Sequence, residues 1–204
     1  MKLSSEENRA LYHDRGTNSA GALTSNQAAV IWNPWAGISI TAGSNGRVGN
    51  EIYPRGMAIR MYYNCAAARP SQFVRIIACI LPQRVGSTIL DGTNFDILDN
   101  TSSNDTVSGM VRAEGVKVLY DRMVTLQQHS GVNPTDVAKG GTRFYKKLWL
   151  KAKRGAKIVW QEDQATIVNK PFALFVIPYD DYTTLRTDNL GYLSWTYKMY
   201  FKDP

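Results

Sequence analysis

The sequence predicts an all-β protein, an eight-stranded jelly-roll β-sandwich preceded by an N-terminal arm, and three observations carry that prediction. Short runs rich in Val, Ile, Tyr, Phe and Trp follow one another between clusters of Gly, Asn, Asp and Pro, the spacing of strands and turns in a sandwich or barrel. Several runs alternate apolar and polar residues, as half-buried strands do. No segment sustains a helical period for more than two turns.

The strands are expected, in order, at Gln27 to Trp32, Met57 to Asn64, Phe73 to Leu81, Thr106 to Arg112, Val116 to Gln127, Phe144 to Lys153, Lys157 to Gln161, Phe172 to Pro178 and Leu193 to Phe201. That train fits a jelly roll with one extra arm strand. Met1 to Ser25 has no periodicity and mixed charge, so residues 1–25 read as an arm and 26–204 as a single domain. Two long connections, Pro82 to Asp105 and Gln128 to Gly141, interrupt the train. Connections of this length commonly carry function or contacts between subunits.

Alternation assigns faces. In Phe144 to Lys153, one face reads Phe144, Lys146, Leu148, Leu150 and Ala152, with Lys146 at the rim of the core. The other reads Tyr145, Lys147, Trp149, Lys151 and Lys153. In the last strand, Leu193, Trp195, Tyr197, Met199 and Phe201 share the core face, and Tyr192, Ser194, Thr196, Lys198, Tyr200 and Lys202 share the opposite one.

Composition narrows the function classes. With 44% hydrophobic and 20% charged residues the chain is that of an ordered domain. Its net charge of +7 points to a polyanionic partner. The charge is concentrated: between Lys139 and Ile158 stand eight basic residues and no acidic one, and without them the chain would be at −1. Tyr145 and Trp149 interleave with these lysines, offering stacking surfaces beside phosphate-neutralising charge. A solvated face whose lysines guard a sheet edge is the plainer reading of the same pattern.

Catalytic and metal chemistry is thinly represented. The two histidines, His13 and His129, stand in no ligand spacing, and no nucleophile elbow, phosphate loop or dinucleotide fingerprint occurs. The acidic pairs Glu162-Asp163 and Asp180-Asp181 read as turn residues at strand ends. No enzyme activity, metal or cofactor is expected. Cys65 and Cys79 sit in apolar runs and are expected as buried free thiols of a reducing compartment. With no apolar segment of spanning length and no secretory leader at Met1, a soluble protein without membrane insertion is expected.

Three segments resemble the capsid proteins of circular single-stranded DNA viruses that encode a Rep protein, the circovirus-like group. Gly43-Ser-Asn-Gly-Arg-Val-Gly-Asn-Glu-Ile-Tyr53 is similar to the family's Gly-rich Arg-x-Gly-x-x-Ile segment ahead of its first main strand. Val118-Leu-Tyr-Asp-Arg-Met-Val-Thr-Leu126 is similar to its mid-domain strand with a Tyr-Asp pair. Tyr197-Lys-Met-Tyr-Phe-Lys-Asp-Pro204 is similar to its closing strand.

The resemblance implies a capsid-type jelly roll, self-assembly into a T=1 icosahedral shell, and enclosure of a circular single-stranded DNA genome. It further implies a virion protein that passes through the host nucleus during assembly; the host receptor is unknown. Family members generally open with an arginine-rich arm, whereas Met1 to Ser25 balances Lys2, Arg9 and Arg15 against Glu6, Glu7 and Asp14. Either the basic stretch around Lys146 to Lys157 takes a larger share of packaging, or a basic arm is missing.

Nucleic-acid contacts through phosphates, independent of sequence, are expected from Tyr145, Lys147, Trp149, Lys151, Lys153, Arg154, Lys157 and Lys198. Subunit contacts are expected from Trp32, Trp35 and Arg47, with Arg47 also suited to satisfying carbonyls of its own chain. Two other functions fit the same residues. One is the coat of a small RNA or satellite virus; the other is a β-sandwich module binding a carbohydrate or a protein.

Overall fold

The computed structural model describes residues 9–14, 23–24, 29–38, 40, 46–47, 49–66, 71–81, 98–99, 109–111, 116–126, 143–161, 167, 172–180 and 189–202. The strands are β1 (Arg9–Asp14), β2 (Leu23–Thr24), β3 (Ala29–Trp32), β4 (Glu51–Cys65), β5 (Gln72–Ile80), β6 (Leu98–Asp99), β7 (Met110–Val111), β8 (Lys117–Leu126), β9 (Arg143–Lys151), β10 (Ile158–Val159), β11 (Phe172–Asp180) and β12 (Asn189–Lys202). A short 3-10 helix, Pro34–Gly37, follows β3.

Two antiparallel sheets face each other. The six-stranded sheet runs β1-β12-β4, with β9 and β10 sharing the far edge of β4 and β2 lying against the start of β12. The four-stranded sheet runs β3-β11-β5-β8. Number the eight principal strands β1, β3, β4, β5, β8, β9, β11 and β12 from first to last. One sheet then has the order first, eighth, third, sixth, and the other second, seventh, fourth, fifth. First pairs with eighth, second with seventh, third with sixth and fourth with fifth, as when one long hairpin is rolled up on itself. That is the jelly roll.

Each sheet buries one face against the other. From the larger sheet come Ile59, Met61 and Tyr63 of β4 and Leu193, Met199 and Phe201 of β12; from the smaller come Val74 and Ile76 of β5 and Leu174 and Val176 of β11. Burying each such aliphatic or aromatic side chain is worth roughly 1.5–3 kcal/mol. Among the described residues, a polar bridge crosses the interior. Tyr63 donates its hydroxyl to Gln72 Oε1 (2.6 Å), and Gln72 donates its amide to the Leu190 carbonyl, so the fully buried glutamine links β4, β5 and β12. The backbone of Gly191 makes room for this bridge: a Cβ there would lie 2.5 Å from the Tyr63 hydroxyl and 2.6 Å from the Asn64 carbonyl.

The far face of the smaller sheet is also covered. Ile77, Cys79, Ala173, Phe175 and Ile177 are fully buried. Arg75, beside them, is held by both oxygens of Asp121 (3.0 and 2.7 Å) and donates to the Gly109 carbonyl (2.6 Å). The chain leading into β7 is thereby tied to that face.

Strand boundaries differ from the sequence expectation in two informative places. β1 lies inside the segment expected as a loose arm; Arg-Ala-Leu-Tyr-His-Asp holds too few apolar residues to show a period, and its pairing with β12 is irregular between Leu11 and Asp14. β4 begins at Glu51, six residues earlier than expected, because the breakers Pro54 and Gly56 flank a bulge: Phe201 pairs with Pro54 and Tyr200 with Gly56, leaving Arg55 extra. A bulge is one of the few sheet positions where proline fits. Of the two long connections, only Leu98–Asp99 in the first lies within the described residues; Gln128 to Gly141 lies outside them, as do His129, Glu162 and Asp163.

Cys65 and Cys79 are free and buried. Burial pushes their thiols up to about 11 and about 12 respectively. Because the folded values lie above the ordinary thiol value of 9.0, the native state holds these protons longer than the unfolded chain does, and their contribution to stability is lost as pH rises from about 9 toward 12.

Two outcomes follow from the packing. Gly191→Ala should lower stability by about 1–3 kcal/mol, seen as a reduced urea midpoint with an unchanged slope. A thiol-alkylating reagent at pH 8 should leave both cysteines unmodified in the folded protein and label both in denaturant; rapid labelling of the native state would contradict their burial.

Candidate nucleic-acid interface

Period-two alternation that turns Ile59, Met61 and Tyr63 inward turns Ala58, Arg60 and Tyr62 outward. Pairing then builds rows across the outer face of the larger sheet. Tyr145 of β9 stands opposite Tyr62, Lys147 opposite Arg60, Trp149 opposite Ala58 and Lys151 opposite Gly56. On the other side of β4, Ser194 stands opposite Tyr62, Thr196 opposite Arg60, Lys198 opposite Ala58 and Tyr200 opposite Gly56. Tyr145 and Trp149 are each 55% exposed, Tyr192 53% and Tyr62 40%.

Cations and rings are in register. Lys147 Nζ lies 5.6 Å from the Tyr145 ring centroid and Lys198 Nζ 5.4 Å from that of Tyr200. Trp149 meets Tyr200 edge to face at 5.3 Å and covers Gly56, whose absent side chain leaves that space. Among the described side chains of this face the carboxylate is Glu51, at the start of β4, and it is neutralised by Lys157 (2.7 Å). That hydrogen bond holds the Glu51 carboxyl below its ordinary value and raises Lys157. The remaining groups, Arg60, Arg143, Lys147, Lys151 and Lys198, face solvent beside exposed aromatic rings. Such a surface has the chemistry to neutralise phosphates and stack bases without reading sequence.

The structure divides the residues expected at this interface. Tyr145, Lys147, Trp149, Lys151 and Lys198 come together on one face. Lys153 and Arg154 do not join them, and Lys157 meets the face at its end, bonded to Glu51. β9 ends at Lys151, the amide of Ala152 donates to the Arg55 carbonyl (3.1 Å), and a turn closed by Ala156 N–H to Lys153 O (3.0 Å) carries these residues to the end of the sheet. Gly155 occupies the turn at φ 76°, a conformation that favours glycine. Sequence reasoning missed Arg60, Tyr62 and Arg143. Arg60 and Tyr62 were legible as the polar face of their own strand, but nothing local announces that β4 will lie beside β9.

Residues expected at subunit contacts are placed differently. Arg47 is fully buried in its own chain: its guanidinium donates to the carbonyls of Ile38 (3.2 Å) and Gly49 and to Asn50 Oδ1 (3.3 Å), and it stacks 4.1 Å from the Trp160 ring centroid. Trp35, 8% exposed, packs in the central apolar cluster. Trp32 lies in β3, and its side chain is outside the described residues.

Among the described residues, no three His, Cys, Asp or Glu side chains gather as a metal site, and no helix is long and apolar enough to cross a membrane. No protein-family model matches the chain, and no curated protein matches it. Among solved structures it is similar to a chain of Desmodium yellow mottle tymovirus, at 12% identity over 100% of this chain and 93% of that one, with a TM-score of 0.37. Turnip yellow mosaic virus gives 6% identity over 100% of this chain and 86% of that one, with a TM-score of 0.36. The jelly-roll fold follows from the strand order of the two sheets.

The two tryptophans give a direct check on these placements. Trp35→Ala should destabilise the subunit by about 3–5 kcal/mol, whereas Trp149→Ala, which removes an exposed edge contact, should cost no more than about 1.5 kcal/mol. Thermal denaturation of both variants measures the difference, and equal losses would refute the assignment of faces.

Proposed function

We propose that the chain is a capsid subunit whose copies self-assemble into a T=1 icosahedral shell around a circular single-stranded DNA genome. On this reading the protein is structural and not an enzyme, resides in the virion, and passes through the host nucleus during assembly. The outer face of the six-stranded sheet turns inward and holds the genome through its phosphates.

The observation that supports this is the asymmetry of the sandwich. One outer face presents Arg60, Lys147, Lys151 and Lys198 among aromatic rings, with its described carboxylate neutralised. The opposite outer face buries apolar side chains and cancels Arg75 with Asp121. A shell subunit needs two unlike faces, one for a polyanion and one for its surroundings. The strand order belongs to an architecture shared by viral capsids, lectins and cupins. Of the described parts of the resembling segments, Glu51 to Tyr53 lies in β4, the third principal strand and not the first, Val118 to Leu126 in β8, and Tyr197 to Lys202 in β12.

The test combines light scattering with the absorbance ratio of nucleic acid to protein on the same particle. Unaltered protein should form megadalton particles whose cargo survives nuclease. The triple variant Arg60→Glu, Lys147→Glu, Lys151→Glu should form particles with less cargo and a weaker salt dependence of binding. Unchanged cargo in well-formed particles would remove this face from the genome. Sequencing the cargo separates DNA from the RNA alternative, and a small oligomer without cargo would favour the binding module.

A further inference from the structure

At the end of the sandwich where β9 leaves the sheet, the two layers part around a cavity of about 330 Å³. Trp35, Met57, Leu150, Ile158 and Phe172 form its walls. The exposed lysines Lys117 and Lys153 stand at its border together with Lys151 of the outer sheet face and with Lys157, which is bonded to Glu51, and no carboxylate is among its described lining residues. The volume is in the range of small-ligand sites. An apolar interior with cations at its opening suits a molecule with an alkyl body and an anionic head, because the chain leaves water while the head stays at the solvent boundary near the ammonium groups.

We infer that this cavity binds a single-chain alkyl carboxylate, its tail between the sheets and its carboxylate at Lys117 and Lys153. The site borders the basic sheet face at Lys151 and Gly56, but its apolar walls lie between the two sheets, whereas Lys147 and Trp149 point the other way. A neutral alcohol of equal chain length lacks the head-group contact. A cationic amphiphile meets repulsion from the same lysines. The inference does not depend on shell formation, since the lining comes from one subunit.

Calorimetric titration of the full-length protein with octanoate, decanoate and dodecanoate, each below its micellar concentration, tests it. One molecule should bind per chain, with affinity rising about fourfold per methylene. Decanol and decyltrimethylammonium should bind at least about tenfold more weakly than decanoate. Lys117→Gln combined with Lys153→Gln, both exposed positions, should remove the preference for decanoate over decanol, while Lys147→Glu should leave it intact. Absence of saturable binding, affinity independent of chain length, or equal binding of the cationic amphiphile would overturn the inference. Particle size in the same samples reports on assembly separately, so either reading can fail without the other.

Discussion

The register of β4 between β12 and β9 governs both surfaces of the larger sheet. A strand has period two, so a one-residue slip would exchange its faces. In the observed register, Ile59, Met61 and Tyr63 enter the core and Arg60 and Tyr62 face out. A slip would put Arg60 into an apolar interior, where an unpaired charge is strongly disfavoured. Core burial and the basic face are therefore one specification. The bulge at Arg55 shows how tightly it is kept: an extra residue is accommodated locally, and the alternation resumes in phase on either side.

Buried polar groups locate the parts that alternation alone would leave loose. Tyr63, Gln72 and Leu190 join the sheets at one end of β4. Arg47 does comparable work before its other end, gathering the carbonyls of Ile38 and Gly49 around a guanidinium stacked on Trp160. Arginine suits this position because its planar fork reaches several acceptors while its face packs on a ring. Removing such a side chain would leave buried carbonyls without partners, so its effect on folding should exceed what its contact area suggests. The Arg75–Asp121 pair ties β5 to β8 in the same manner on the far face.

The strands with strong alternation were legible from residues alone. β9 and β12 show the expected faces, and β5, β8 and β11 lie within one or two residues of their expected limits. What escaped depends on partners distant in sequence. β1 is recognisable as a strand only beside β12. Lys153 continues the alternation of β9 in the sequence, yet the chain has already left the sheet at Ala152. Trp35, expected at a subunit contact, instead reaches the core from a short 3-10 helix. A one-dimensional pattern shows which residues share a strand face; it does not show which strands share a sheet.

The jelly-roll order adds a constraint that bears on function. Rolling a long hairpin places third beside eighth, so the two longest strands, β4 and β12, become neighbours at the centre of one sheet. Their outward residues then form a continuous platform with the edge strand β9, joining Lys147 and Trp149 from one part of the chain to Arg60 and Lys198 from two others. A basic run confined to β9 could serve merely to guard a sheet edge. Arg60 on the central strand β4 and Lys198 on β12 have no edge to guard, and their presence extends the charge inward from that edge. Charge distributed across three strands, with rings between, has the breadth to contact several phosphates at once, which is the requirement for holding a polyanion without reading its sequence.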